Sequence, residues 1–525
     1  MTDQTQRLLP EGMSEKDFQN ALRELQEAIG KDWVYTDDKD LRAYRDAYSP
    51  LPDRTFWPSV ALAPDGVEDI QKILAIANRY RFPLWTISTG KNFAYGGPAP
   101  RLAGYAVLDL KRMNRILEVN EELGYALVEP GVSYFQLYQH IQEKGLKLWI
   151  DCPAPGWGGV IGNALEHGAG YTPYADHLIM QCGMEVVLAD GTVVRTGMGA
   201  LPGNNTWQLF KYGFGPWVDW SFSQGNFGIV TKMGIWLMPE PPAYKPFMVT
   251  YQKEDDLHAL MEILRPLKLN MVIPNGVVVA HLLYDAAVQT RKADIYQGKG
   301  PTPDSVLKKL GQDLDLGIWN AYGALYGLPE NVEIQWQMVQ DALSSIPGAK
   351  FYFKDDRKGD PGWEYREQLM RGVPNMGEFG ILNWVGGGHI NFTPIGPMTG
   401  DDAMKLYHLM REVMTHHGFD YIAEFAATFR ALINILMVLF DHSDQDAQQR
   451  AHACSHDIIV EAAKAGYGEL KANLEFMDLV AGVYNYNDNA LLKLNTRIKD
   501  ALDPQGIFSP GKSGIWPKHM RKESR

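Results

Sequence analysis

Apolar positions recur along this chain in two periods, and the period separates helices from strands. Val67, Ile70, Ile73, Leu74 and Ala77 repeat at helical spacing, which predicts a helix from Asp65-Gly66 to Tyr80 with one buried face. A short apolar run, PLWTIS (83–88), reads as a strand and leads into the turn TGKNFAYGG (89–97). Two more strand signals follow, YAVLDL (105–110) and YALVEPG (125–131), the second closing on a Pro-Gly turn. Residues 132–144 return to helical spacing. GMEVVLADGTVVRTG (183–197) alternates apolar residues around Asp190-Gly191, the pattern of a hairpin. The run LINILMVLF (432–440) is apolar throughout and fits a buried strand or helix.

The pattern changes at PEPPAYKP (239–246), which marks a domain boundary. Residues 1–245 read as a self-contained α/β unit. From 246 to 468, helical stretches such as EDDLHALMEILRPL alternate with strand-like KFYFK and HINFTP, the pattern of an α+β domain. Residues 469–525 end in the turn-rich ALDPQGIFSPGKSGIW. Two large domains are the expectation, because 525 residues exceed what one hydrophobic core supports.

Composition narrows the function classes. A net charge of −13 argues against nucleic acid or an anionic membrane as the main partner. The three cysteines, Cys152, Cys182 and Cys454, form no CxxC pair, so neither a disulfide framework nor a metal site is expected. The opening MTDQTQRLLPEGMSEKDF lacks the basic and apolar regions of a secretion signal. No window approaches about 18 uninterrupted apolar residues. The expectation is a soluble protein of the cytoplasm or another intracellular compartment.

Three glycine-rich stretches carry candidate chemistry. TISTGKNFAYGG follows an apolar strand and can turn several backbone N–H groups toward a diphosphate. GWGGVIGNALEHGAGYTPY (156–174) holds six glycines in 19 residues. That costs chain entropy unless something, such as a flat rigid ring, packs on bare backbone. No G-x-G-x-x-G follows a predicted strand, so a Rossmann site is not supported. In GGGHINF (386–392), His389 follows three glycines. It reads either as a structural histidine beside a bulge or as a nucleophile approached closely by a planar molecule.

These segments together resemble the vanillyl-alcohol oxidase and p-cresol methylhydroxylase flavoproteins, and most of all their eugenol-oxidase-like members. The resemblance is densest in STGKNFAYGGPAPR, ALVEPGVSYFQLY, CPAPGWGGVIGNALEHGAGYTPYADH, MEVVLADGTVVRTGMGALPG, GNFGIVTKMGIWLMP and LDPQGIFSPGKSGIW. It implies an α+β, two-domain FAD-binding fold, with both chain ends (1–245 and 469–525) forming the FAD domain and 246–468 an α+β cap. It implies FAD contacts at Ser88, Thr89, Gly90, Lys91, Asn92, Gly96, Gly158, Gly162, Asn163, Gly170, Gly228, Ile229 and Lys512. His389 matches the histidine that carries an 8α-linked FAD, although its turn is one residue shorter than in eugenol oxidase. The position of the alternative tyrosine anchor is Leu382, which cannot form a link.

The resemblance also exposes departures. Family members hold a phenolate with two tyrosines and an arginine. Tyr95 matches the first tyrosine, and Tyr171 matches another that lines the cavity. The remaining Tyr-Arg pair is here Leu470 and Lys471, and lysine offers a point charge where arginine offers a fork. The family's catalytic aspartate is Ala154, and its paired histidines are Ile433 and Asn434. Asp151 matches a different residue and is not expected to be the base. Glu378 and Glu424 match acidic residues near the site. The expected activity is removal of hydride from a para-substituted phenol or another benzylic or bulky alcohol, with O₂ as acceptor and H₂O₂ as product. The alternatives are a dehydrogenase passing electrons to a separate cytochrome subunit, or a flavin-holding protein with little catalysis. GALPGNNTWQLFKYGFGP (199–216) has no room for the insertion carried by the octameric fungal member, which implies a homodimer.

Overall fold

The computed structural model describes residues 7–521. The first residues of the stretch weighed against a secretion signal lie outside them. No described helix is long and apolar enough to cross a membrane.

The first lobe contains two larger sheets and a two-stranded pair, Leu148–Trp149 with Met238–Pro239. In one, Val60–Leu62, Ala106–Asp109 and Leu84–Ile87 run parallel, with Val34–Tyr35 added antiparallel at the edge. The helices Glu15–Ile29 and Val67–Tyr80 pack on it through Phe18, Leu25, Ile70, Ile73 and Leu74. The second sheet is antiparallel, in the order Ile116–Asn120, Tyr125–Val128, Ile229–Trp236, Gln181–Val187, Val193–Arg195. Its last pair is the hairpin read from sequence, and Gly191 supplies the positive φ of 86° that the turn needs.

The C-terminal segment completes this lobe. Leu84 N–H donates to Ile507 O (2.8 Å) and Ser509 N–H to Leu84 O (2.7 Å), so residues 507–509 pair along the edge of the parallel sheet. Lys499, fully buried, pins the tail by donating to Asp503 Oδ2 (2.7 Å), Phe508 O (2.6 Å) and Asn226 O (2.8 Å).

The second lobe is one antiparallel sheet of nine strands. The period-two alternation of its strands sorts side chains onto two faces. Phe247, Val249, Ile390, Phe392, Leu436 and Val438 face the helices Asp256–Leu269, Pro329–Leu343, Gly400–His416 and Gln445–Lys464. Met248, Val278, Met437 and Leu439 pack with the first lobe instead. LINILMVLF lies in the strand Ala431–Asp441, which resolves the strand-or-helix alternative. An apolar run this long reflects cover on both faces.

One local reading is corrected. The stretch 156–174 is not bare loop throughout, because Val160–Leu165 forms a six-residue helix. Val160, Ile161 and Ala164 are buried in it. Gly162 is required there because a Cβ would lie 2.1 Å from Ser88 Oγ.

Candidate functional site

The two lobes enclose a cavity of about 400 Å³. The first lobe contributes loops, since chain leaving a strand edge can turn its backbone toward a ligand. Ser88, Thr89, Gly90, Lys91 and Asn92 line one wall directly after the strand Leu84–Ile87, and Gly90 takes a φ of 65°. Gly158, Gly162, Asn163 and Gly170 line a second wall, joined by Gly228, Ile229 and, from the tail, Lys512. Gly96 is the exception: it is not part of the wall. It sits at φ 109° with its α-carbon against Leu474, where a Cβ would come within 2.4 Å of Leu474 Cγ. It shapes the turn that carries Tyr95.

Gly170 shows how tightly the second wall is built, because a Cβ on it would lie 1.4 Å from Asp151 Oδ1. Gly170→Ala is expected to cost at least about 1–3 kcal/mol, read as a lowered melting temperature. Gly482→Ala, whose Cβ meets nothing within 4 Å, is the control and should leave that temperature level or raised.

The cap sheet roofs the cavity with its inward face. Along Gly387–Phe392 and the residue after it, alternation points His389, Asn391 and Thr393 into the cavity. The neighbouring strand Ala431–Asp441 contributes Ile433, Ile435 and Met437, and Ala423–Ala427 contributes Glu424 and Ala426. The roof thus grades from a polar strand through an apolar one to an acidic one.

His389 is 6% exposed. Its backbone N–H donates to Tyr48 O (3.2 Å), and its ring meets Tyr48 edge-on at 5.6 Å. Burial pushes its imidazole down to about 4, so the ring is neutral at ordinary pH. Its Nδ1 is buried with no hydrogen-bond partner. His389 lines a cavity walled by bare glycine backbone, and a basic nitrogen there without a protein partner fits a flat cofactor. Leu382 also lines the cavity.

At another part of the wall, Lys471 Nζ lies 5.7 Å from the centre of the Tyr95 ring. Burial lowers the lysine and raises the tyrosine. No carboxylate stands within 4 Å of this ammonium among the described residues. Lys512 is ion-paired with Glu166. Leu470 and Ile433 also line the cavity.

Glu378 and Glu424 both line the cavity, and a buried cluster stands behind them. Arg366, fully buried, bridges Glu424 Oε2 (2.6 Å) and Asp285 Oδ1 (3.0 Å). Tyr284 donates to Glu378 Oε1 (2.7 Å) and Tyr322 to Asp285 Oδ2 (2.8 Å). One guanidinium cannot neutralise three buried carboxyls. Burial, reinforced by the Glu424 charge, pushes Glu378 up to about 7. Burial also raises Asp285 to about 6 and Glu424 in the same direction, with Arg366 opposing both. Of these three carboxyls, Glu378 is the one raised closest to neutrality.

Sequence reasoning missed Arg366, Asp285 and Tyr284. Asp285 alone left a signal, as a lone charge within the apolar LLYDAAV. It missed Glu469 as well, which accepts from Thr393 Oγ1 (2.8 Å) and is raised by burial to about 7.

Comparison with known proteins agrees with this architecture. Residues 58–197 match the FAD binding domain family and residues 320–513 the C-terminal domain of FAD linked oxidases. The chain is 41% identical over 518 residues to the 4-cresol dehydrogenase [hydroxylating] flavoprotein subunit of Pseudomonas putida, covering 98% of this chain and 99% of that one. It is 28% identical over 548 residues to 1'-carboxy-chondrochloren decarboxylase of Chondromyces crocatus, covering 96% and 99%. Among solved structures, p-cresol methylhydroxylase with substrate bound superimposes with a TM-score of 0.95 at 41% identity, over 97% of this chain and 99% of that one. The 4-ethylphenol oxidase of Gulosibacter chungangensis, in complex with isoeugenol, gives a TM-score of 0.96 at 40% identity, over 98% and 100%. A glycine-walled cavity between two lobes and this full-length similarity lead to one conclusion: the chain belongs to the vanillyl-alcohol oxidase and p-cresol methylhydroxylase family of FAD-dependent oxidoreductases.

Proposed function

We propose that this enzyme removes hydride from the benzylic carbon of a para-substituted phenol, with the FAD attached through His389 and O₂ as the final acceptor. The observation that carries the reading is the unpaired Lys471 ammonium beside Tyr95, inside the cavity that also holds His389. Bound FAD supplies the two-electron acceptor for the hydride.

The side chains divide the remaining work. Lys471 attracts the oxygen of a phenolate, and the Tyr95 hydroxyl orients it; ionising the phenol makes the benzylic hydride easier to lose. Leu470 and Ile433 surround that oxygen with apolar surface, which strengthens a single charge contact. Tyr171 packs against the aromatic ring. Glu378, poised near neutrality, takes up the proton that the missing aspartate at Ala154 would have handled, and Arg366 pairs with Glu424 beside it. Ser88 to Asn92, Gly158, Gly162, Asn163, Gly170, Gly228, Ile229 and Lys512 hold the cofactor. A homodimer is the proposed assembly.

Replacing Lys471 with methionine tests the substrate assignment. Loss of a hydrogen bond to a charged group, about 1.5–3 kcal/mol, should lower kcat/KM for a para-alkylphenol about 10- to 100-fold. The bound flavin should keep its colour. An unchanged kcat/KM would refute the role of Lys471 and with it the phenolate reading.

A second reading concerns the acceptor. The relative at 41% identity is named as the flavoprotein subunit of a dehydrogenase, which favours the alternative of electron delivery to a separate partner subunit. Anaerobic mixing with a para-alkylphenol should bleach the flavin under either reading. Rapid recovery of colour in air supports the oxidase, and recovery only on adding a one-electron acceptor supports the dehydrogenase.

A further inference from the structure

The loop that walls the cavity at 168–172 is backed by a buried polar group that hydride removal does not use. Asp151 and His177 are 8% and 2% exposed. His177 Nε2 stands 2.8 Å from Asp151 Oδ1 and donates to that carboxylate. The other carboxylate oxygen, Oδ2, accepts from Thr172 N–H (2.8 Å) and from the Thr172 hydroxyl. Asp151 therefore ties the histidine ring to the backbone of the loop. Nδ1, at the opposite edge of the ring, faces Asn163 Oδ1, an oxygen that can only accept, so the ring donates from both nitrogens and pairs with Asp151 as a cation. The Tyr134 hydroxyl stands 3.1 Å from Nδ1 and donates to the same Asn163 oxygen at 3.3 Å.

Asn163 is the member of this group that lines the cavity. Its carboxamide oxygen is turned inward, toward ring and hydroxyl. That leaves its NH₂ for the cavity side, where it has no acceptor among the described residues. Two glycines let the assembly pack against bare backbone. A Cβ on Gly168 would lie 1.8 Å from Asn163 Oδ1, and one on Gly170 would lie 1.4 Å from Asp151 Oδ1. An amide donor left without an acceptor in a partly buried site is costly, so its orientation calls for an acceptor in the cavity.

We infer that Asp151 and His177 are positioning residues for Asn163, holding its NH₂ toward the cavity as a hydrogen-bond donor to the flavin ring of bound FAD. Asp151 is thus assigned a place behind the wall, where it sets the direction of a donor and takes no part as a base. A donor fixed against an acceptor atom of the ring strengthens its hold on added electrons. The assignment concerns the cofactor alone and does not depend on which substrate is oxidised.

The test measures the midpoint potential and visible spectrum of the FAD-loaded enzyme. His177→Gln and Asn163→Ala should each move the two-electron equilibrium about tenfold toward the oxidised flavin, about 30 mV. The double variant should match Asn163→Ala alone, because His177 acts only through Asn163. Asp151→Asn, a near-isosteric change, should move the potential in the same direction. It serves as the reading if His177→Gln does not yield folded, FAD-loaded protein. A His177→Gln or Asp151→Asn enzyme with unchanged potential and spectrum, and merely a lower melting temperature, would overturn the inference. So would effects of His177→Gln and Asn163→Ala that add in the double variant.

Discussion

Replacing Arg366 with leucine is expected to destabilise the protein by about 3–5 kcal/mol, the cost of leaving buried charges without their partner. Arg366 sits fully buried between Asp285 and Glu424, and Tyr284, Tyr322 and Tyr365 face its guanidinium at 5.3, 4.5 and 4.7 Å. Removing it leaves two buried carboxyls without their shared cation. Thermal unfolding across pH checks both the size and the cause. In the wild type, Glu378 is raised from 4.5 to about 7 and Asp285 from 3.8 to about 6. A carboxyl raised in the fold binds its proton more tightly there than in the unfolded chain. Its stabilising contribution is therefore complete below the unfolded value and lost as pH rises through the folded one. Between about pH 4 and 7, wild-type stability from these groups should fall as pH rises. In Arg366→Leu the decline should be steeper, because nothing then favours the charged forms. A pH-independent loss would show that the arginine matters through packing alone.

The second large effect is expected at His389. Acid-precipitated wild-type protein should retain its yellow colour, whereas His389→Ala should release all of it to the supernatant. The physical basis is the neutral, orphaned Nδ1 on a strand whose neighbours are glycines: Gly386 and Gly387 take φ values of 125° and 90°, which a residue with a Cβ rarely adopts. A wild-type enzyme that gives up its colour to acid would refute the attachment. Folding of His389→Ala should be little affected, since the His389 backbone hydrogen bond to Tyr48 and its strand pairing remain.

Much of the cavity wall was legible in the chain because exposed backbone leaves a compositional trace. Ser88 to Asn92, Gly158, Gly162 and Gly170 stand out as small residues after a strand or within a dense glycine run, and the cavity is walled by them. Gly96 shows the limit of that signal. Its glycine is demanded by its own φ and by Leu474, a residue 378 positions later that no local pattern could bring to it. The strand at 387–392 was legible for a different reason. Alternation around His389 determines that Asn391 and Thr393 share its face whatever the partner strands are.

The acidic cluster was not legible. Glu378, Glu424, Asp285 and Arg366 come from four separate elements, and only their convergence makes Arg366 a shared counter-ion and raises Glu378 toward neutrality. The same holds for Asp151 and His177. By itself the sequence determined the elements, the family, the glycine-lined walls and the positions at which this chain departs from the family's motifs. These follow from local spacing and from motifs a few residues long. Only the tertiary structure decided which charged groups lose their water together and which of them share partners. Desolvation and Coulomb energy depend on distances across the fold, and a linear pattern does not contain those distances.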